Sequence, residues 1–384
     1  MNFFREVVLS AALAALIGCS GTYRVGNEAA LAGSSNASAG NGNAGNANPG
    51  NASAGKANSG GAPSVVANGG SAAVDLRAGA FASDDASGSA SFCGNTLPAT
   101  RGTEFAPPAV VYRRVLKFLY DTDPVIPDDL PTETTREWAG SLASAALAAV
   151  STPSAAGMNR FLRNWWPSLA TPEAWAAYFS SKRGTLVDLL TTESQRPNGA
   201  GLLTDPSVLS RGSISGRGTA IHVNLLCEAI PSAPPGSTSS PPLMPGQTRR
   251  AQLEEAVAAA ACVACHRIID PVAFPLQNFA LDGSYRTTEN DLPLDTAVVL
   301  TFANSGDFLV NDPKTLGSAL ANNCEVAVCV TRRLVHDATL SAELPHEAGT
   351  PEIAAIAAQF TERGLNLPEL VRLVVESDAF LSAN

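Results

Sequence analysis

From residue 107 onward the chain alternates apolar stripes of helical period with short clusters of turn residues. Pro107-Pro108 precedes a run over 109–120 in which Val111, Val115 and Phe118 share one face, and residues 121–124 end it. Thr134 with Glu137 reads as a capping box ahead of a helix over 138–150. Residues 157–166 carry Phe161, Leu162, Trp165 and Trp166. Thr171-Pro172 then opens a helix through Trp175, Tyr178 and Phe179 that closes near Gly184. At helical spacing these aromatics read as packing between helices; a platform for a sugar or a porphyrin is the functional alternative. Residues 249–261 are rich in Ala, Leu and Glu and predict one helix running on to Pro271, which stops it. A hairpin is expected around 297–302. Asn311 or Asp312 caps a short helix from Pro313, and 325–336 is amphipathic through Val326, Cys329, Val330 and Leu334. Thr350-Pro351 caps a helix reaching Gly364, and Asn366 with Pro368 starts the last one, ending near Ser377. The pattern predicts a mainly α fold with long, irregular Pro- and Gly-rich connections.

The first 92 residues follow other rules. Residues 1–19 read as an export signal: Arg5 near the amino terminus, an apolar core over 7–17, then Leu16-Ile17-Gly18-Cys19. That ending is similar to the lipobox of bacterial lipoproteins, which implies lipidation at Cys19, a membrane-lipid anchor and an envelope location. Ser20 resembles the outer-membrane sorting pattern. An ordinary signal peptide with a nearby thiol is the alternative. Residues 20–91 are built from Ala, Gly, Asn and Ser without apolar period and are expected to be disordered. As a flexible coil such a tether spans about 45–50 Å. Residues 229–247 form a Pro-rich extended connector.

Composition narrows the function classes. The 384 residues carry a formal net charge of −10, which argues against nucleic acid as the main partner. No apolar run of spanning length lies beyond the N-terminus.

The candidate chemistry sits in Cys262-Val263-Ala264-Cys265-His266, a Cys-x-x-Cys-His motif of the kind that attaches haem c. Two thiols add to the two porphyrin vinyl groups and the adjacent imidazole ligates the iron. On a helix Cys262, Cys265 and His266 project from one face. A redox disulfide and half of a zinc site are the bland alternatives. No second Cys-x-x-Cys or His-x-x-x-His supports zinc, and a thioredoxin-like motif opens a helix, whereas this one is placed at a helix end.

The surrounding run CVACHRIIDPVAFPLQNFALDGSYRT resembles the core of a planctomycete-type cytochrome domain of unknown function, family 1588. The residues that carry the likeness are Cys262, Cys265, His266, Asp270, Pro271, Phe274, Asn278, Phe279, Gly283, Tyr285 and Arg286. Ala273, Gln277 and Ala280 depart from the pattern. Segments LVDLLTT, GLLTDPSVLS and RGTAIHVNLLC are similar to the end of family 1592 and the entry to 1588, and the tail, with Cys329, Arg332, Arg333 and SDAF, resembles family 1585. The resemblance implies a helical domain over 93–210, a cytochrome-like domain over 211–310 and a C-terminal helical domain over 311–384. It implies covalently attached haem c on Cys262, Cys265 and His266, with Phe274 among the contacting residues. Arg267, Tyr285 and Arg286 are the candidates to hold its propionates.

With Cys19 lipidated and Cys262 and Cys265 on haem, Cys93, Cys227, Cys324 and Cys329 remain. An even remainder in an oxidising compartment implies two disulfides, with three pairings open; buried thiols are the alternative. For the sixth iron position the candidates are Met158, His222, Met244, His336 and His346, with Met244 ranked first because it lies on the connector near the motif; a five-coordinate iron is the remaining option. The expected function is an exported, lipid-anchored monohaem electron carrier with an unknown redox partner protein, accessory rather than catalytic. A peroxidase-type haem enzyme and a haem-degenerate binding or scaffold lipoprotein are the competing readings.

Overall fold

The computed structural model describes residues 83–84, 90–98, 104–149, 155–179, 184–192, 198–231, 242–257, 260–339 and 351–382. The export signal, Cys19, most of the low-complexity segment, His346 and Thr350 lie outside them. The described part is mainly α-helical. Its principal helices are α1 (Pro108–Tyr120), α2 (Arg136–Ala149), α3 (Ala156–Trp165), α4 (Leu186–Thr191), α5 (Ile214–Leu225), α6 (Arg249–Ala256), α7 (Ala260–Ile269), α8 (Pro313–Ala321), α9 (Cys324–Thr339), α10 (Pro351–Glu362) and α11 (Leu367–Val375). Short strands complete it: β1 (Ser83–Asp84), β2 (Ala90–Phe92) and β3 (Asn95–Thr96) in one antiparallel sheet, β4 (Thr288–Glu289) with β5 (Leu292–Pro293), and β6 (Val298–Phe302) with β7 (Gly306–Val310).

Helix α9 is the hub. Ten of its sixteen residues are buried, and it packs against α1, α3, α5, α10 and α11. One core cluster takes in Val111 and Phe118 of α1, Trp165 of α3, Ile221 of α5, Val330 of α9 and Val371 of α11. Segments 93–210, 211–310 and 311–384 thus share one hydrophobic core. The aromatics Phe161, Trp165, Trp166, Trp175 and Phe179 are all buried in it. Two covalent ties also end on α9: Cys93 joins Cys324, and Cys227 joins Cys329.

Local chemistry accounts for the ends of these helices. Asp121 closes α1 in the left-handed conformation, at φ 56°, with its amide bonded to Lys117 O. At α2 the amide of Trp138 donates to Thr135 Oγ1 at 3.1 Å. Thr134, expected as the cap, instead donates to Ala106 O at 2.6 Å; both threonines can serve, and the tertiary contact takes the first. Asp312 caps α8 in a reciprocal box with Thr315. Asn366 caps α11 through the Glu369 amide at 3.0 Å.

Two expectations are corrected. The folded part begins before Cys93: β1 and β2 pair within the segment expected to be disordered, because Phe92 is buried beside Cys324, Val328 and Ala357. Nor do residues 249–261 continue one helix into the motif. Val257 leaves helical geometry at φ −91°, ψ 1°, and the motif lies on the separate helix α7.

Candidate functional site

Helix α7 carries Cys262, Cys265, His266 and Arg267 and ends one residue before Asp270-Pro271, where the chain tightens into a 3-10 helix over Pro271–Asn278. It packs against α5 and that 3-10 helix. Close approach is possible because residue 218 is glycine: a Cβ there would lie 1.8 Å from Ile269 O. Ile269 and Asp270 face inward and are buried, whereas Val263 and Ile268 are exposed although apolar.

His266 is fixed through one ring nitrogen. Its Nδ1 lies 2.8 Å from Asp270 Oδ2, one helical turn on, and 3.3 Å from Ser215 Oγ at the start of α5. Burial pushes the Asp270 carboxyl up from its ordinary value, against the hydrogen bonds from Ser215 and His266 that pull it down. The second Asp270 oxygen, Oδ1, is buried with no hydrogen-bond partner among the described residues.

Cys262 is half-buried and Cys265 exposed, and both are free thiols. After the two disulfides they are the cysteines left for chemistry among the described residues. This donor set suits a thioether-linked porphyrin: two accessible thiols three residues apart, followed by an imidazole whose Nε2 is not the nitrogen held by Asp270. The helix boundaries remove one argument made from sequence, because Cys262 lies near the start of α7 rather than at the end of a long helix.

The other expected site residues scatter. Phe274 is buried in a small cluster with Ile214 and Ala273, and the Arg250 guanidinium lies 4.0 Å from its ring centroid. Tyr285 is half-exposed and meets Phe279 edge-on at 5.5 Å. Arg286 is already engaged, with Nε donating to Gln277 O at 3.2 Å and Nη1 to the buried Glu289 at 2.7 Å. Arg267 is exposed on α7. Of the residues considered for a sixth iron ligand, Met158 is fully buried in the main core. His222 uses both nitrogens, on Glu228 Oε2 at 2.7 Å and Ile268 O at 3.0 Å. It is a brace between α5 and the end of α7. Met244 is exposed, and its connector is held by Asn290, which donates to Met244 O at 2.8 Å, and by Gln252, which donates to Pro242 O at 2.8 Å.

Sequence reasoning missed the residue that builds this corner. Arg217 on α5 is buried without a carboxylate partner among the described residues. Its guanidinium donates to the carbonyls of Leu209, Leu276, Phe279 and Ala280, at 2.8–3.3 Å. Burial lowers its pKa to about 10. It ties the start of α5 to the chain after α7. No local signal marks it, since Leu276, Phe279 and Ala280 lie about sixty residues on and every partner, Leu209 included, is a backbone carbonyl. Asp270 was legible as a residue four after His266 on a helix, but spacing alone assigns it no role.

A family model described as PSCyt3, a protein of unknown function (DUF1588), matches residues 198–289. The match takes in α5, α6, α7 and the Arg217 corner. No curated protein and no solved structure matches the chain.

Proposed function

We propose that the protein is an exported, lipid-anchored, monohaem c-type cytochrome-like protein that passes single electrons in the bacterial cell envelope. The observation that carries the reading is the cysteine partition. Among the described residues four cysteines pair with one another, and the two left over are Cys262 and Cys265, in the motif that ends at His266. In this reading Cys262 and Cys265 hold haem c through thioethers and His266 ligates the iron through Nε2. The group supplies a one-electron iron couple when bound. The chain supplies orientation through Asp270 and Ser215, and exposed apolar side chains, Val263 and Ile268, beside the attachment point.

Export and anchoring through acylated Cys19 belong to the same proposal, with the outer membrane as the site. Two disulfides favour an oxidising compartment. The partner is a redox protein. We extend the reading to the flanking segments as 1592-like and 1585-like parts, on the motif resemblances alone.

The test is expression of the full chain in a host able to attach haem c. The expected product has the mass of one added haem and a c-type pyridine haemochrome spectrum, both abolished by Cys262→Ala with Cys265→Ala. A colourless wild-type protein with no added mass ends the proposal.

A further inference from the structure

The buried carboxylate beside the motif has no role in attachment, and its geometry is specific. Asp270 is 3% exposed, sits on no salt bridge to Lys or Arg among the described residues, and directs Oδ2 at His266 Nδ1 at 2.8 Å. Ser215 Oγ lies 3.3 Å from the same nitrogen. A neutral imidazole has one protonated and one bare nitrogen. A carboxylate accepts only, so its contact with Nδ1 places the proton there and leaves the lone pair on Nε2. The alternative tautomer would set two lone pairs against each other in a buried corner, at a cost comparable to a lost charge-assisted hydrogen bond.

We infer that Asp270 is a positioning residue for His266: it fixes the Nδ1–H tautomer and ring orientation, and by accepting that hydrogen bond it makes Nε2 a more strongly donating ligand. The inference deepens the haem proposal and rests on it for its electrochemical half. Outer partners that accept the second N–H of a ligating histidine raise its basicity. A more basic axial nitrogen favours ferric over ferrous iron, so Asp270 holds the reduction potential down. Ser215 supports the carboxylate, because its hydroxyl lies beside both His266 and Asp270. Three elements converge here: the last turn of α7, its junction with the 3-10 helix, and the first turn of α5.

Two measurements on the full chain test this. The first needs no haem. In wild-type protein from a host without attachment machinery, long-range nitrogen–proton NMR at alkaline pH reads the His266 tautomer. The Nδ1–H form should dominate; a dominant Nε2–H form overturns the inference even where substitutions at Asp270 prove hard to fold. The second uses haem-loaded protein and compares wild type with Asp270→Asn by spectroelectrochemistry. An amide can turn its NH2 toward Nδ1 or accept only as a neutral oxygen, so the ferric-to-ferrous equilibrium should move toward ferrous at least tenfold, about 59 mV for a one-electron couple. Haem attached in both proteins with ferric-to-ferrous equilibrium constants less than tenfold apart overturns the electrochemical half and leaves the haem proposal standing. A wild type that attaches no haem overturns the haem proposal instead, and the tautomer measurement still decides the positioning.

Discussion

Helices α9 and α7 draw on the same residue types and put them to opposite use. Both are rich in Val and Ala and both carry two cysteines. In α9 the apolar side chains point into the core, and its cysteines are closed into disulfides with Cys93 and Cys227. In α7 Val263 and Ile268 face out, and Cys262 and Cys265 remain thiols. The difference lies in neighbours. Helix α9 packs against six of the other principal helices and the short helix Asp378–Leu381, while α7 packs chiefly against α5 and one 3-10 helix. Stability is therefore concentrated where no chemistry is expected, and the candidate chemistry sits where little apolar burial depends on it. A site of that kind can change its exposed face without unfolding the protein.

The largest expected effect tests this contrast directly. Val326→Asp, at a fully buried position of α9, should cost about 4 kcal/mol or more, because an unpaired carboxylate replaces core packing. Ile268→Asp on α7 should cost only about 0.5 kcal/mol, since the side chain is half-exposed already. Urea unfolding of the haem-free full chain measures both. Comparable losses for the two variants would erase the distinction.

Arg217→Ala comes next. It removes the donor to the buried carbonyls of Leu209, Leu276 and Phe279 and should cost about 3 kcal/mol. The loss should fall on the α5–α7 corner, read as faster amide exchange over 271–280 than over α9. Equal exchange in both regions would show that the corner is not a separate unit.

The smallest effect concerns pH and the buried acid at the rim of α9. Burial raises the Asp337 carboxyl above its ordinary 3.8, outweighing Arg160 3.5 Å away, which pulls it down. The folded state therefore holds this proton more tightly than the unfolded chain. Its contribution is fully present below about pH 3.8 and declines as pH rises and the unfolded carboxyl ionises first. Asp337→Asn should gain stability relative to wild type as pH rises from 3.5, by less than about 1 kcal/mol. A difference that stays flat with pH would show that Arg160 balances the burial.

Much of the fold was legible locally. The stripe of Val111, Val115 and Phe118, the caps at Asp312 and Asn366, and the stop at Pro271 each depend on residues within a few positions, so composition and spacing suffice to find them. The break at Val257 was not legible, because an Ala- and Glu-rich run has helical propensity throughout and only packing decides where it turns. Of the candidate site, the motif with its two cysteines and histidine could be read directly. The partners of Phe274 and Met244 could not, since each is set by atoms from another part of the chain.

Sequence by itself determined the helical class, the helix caps at Asp312 and Asn366, the cysteine inventory and the one stretch with two cysteines next to a histidine. These follow from side-chain chemistry and short-range periodicity, which act within a turn or two. Tertiary structure alone decided which cysteines pair, that His222 braces Ile268, and that Arg217 reaches the carbonyls of Leu276, Phe279 and Ala280. Those outcomes depend on contacts between segments 46 to 231 residues apart, where the geometry of packing, and not local preference, selects the partner.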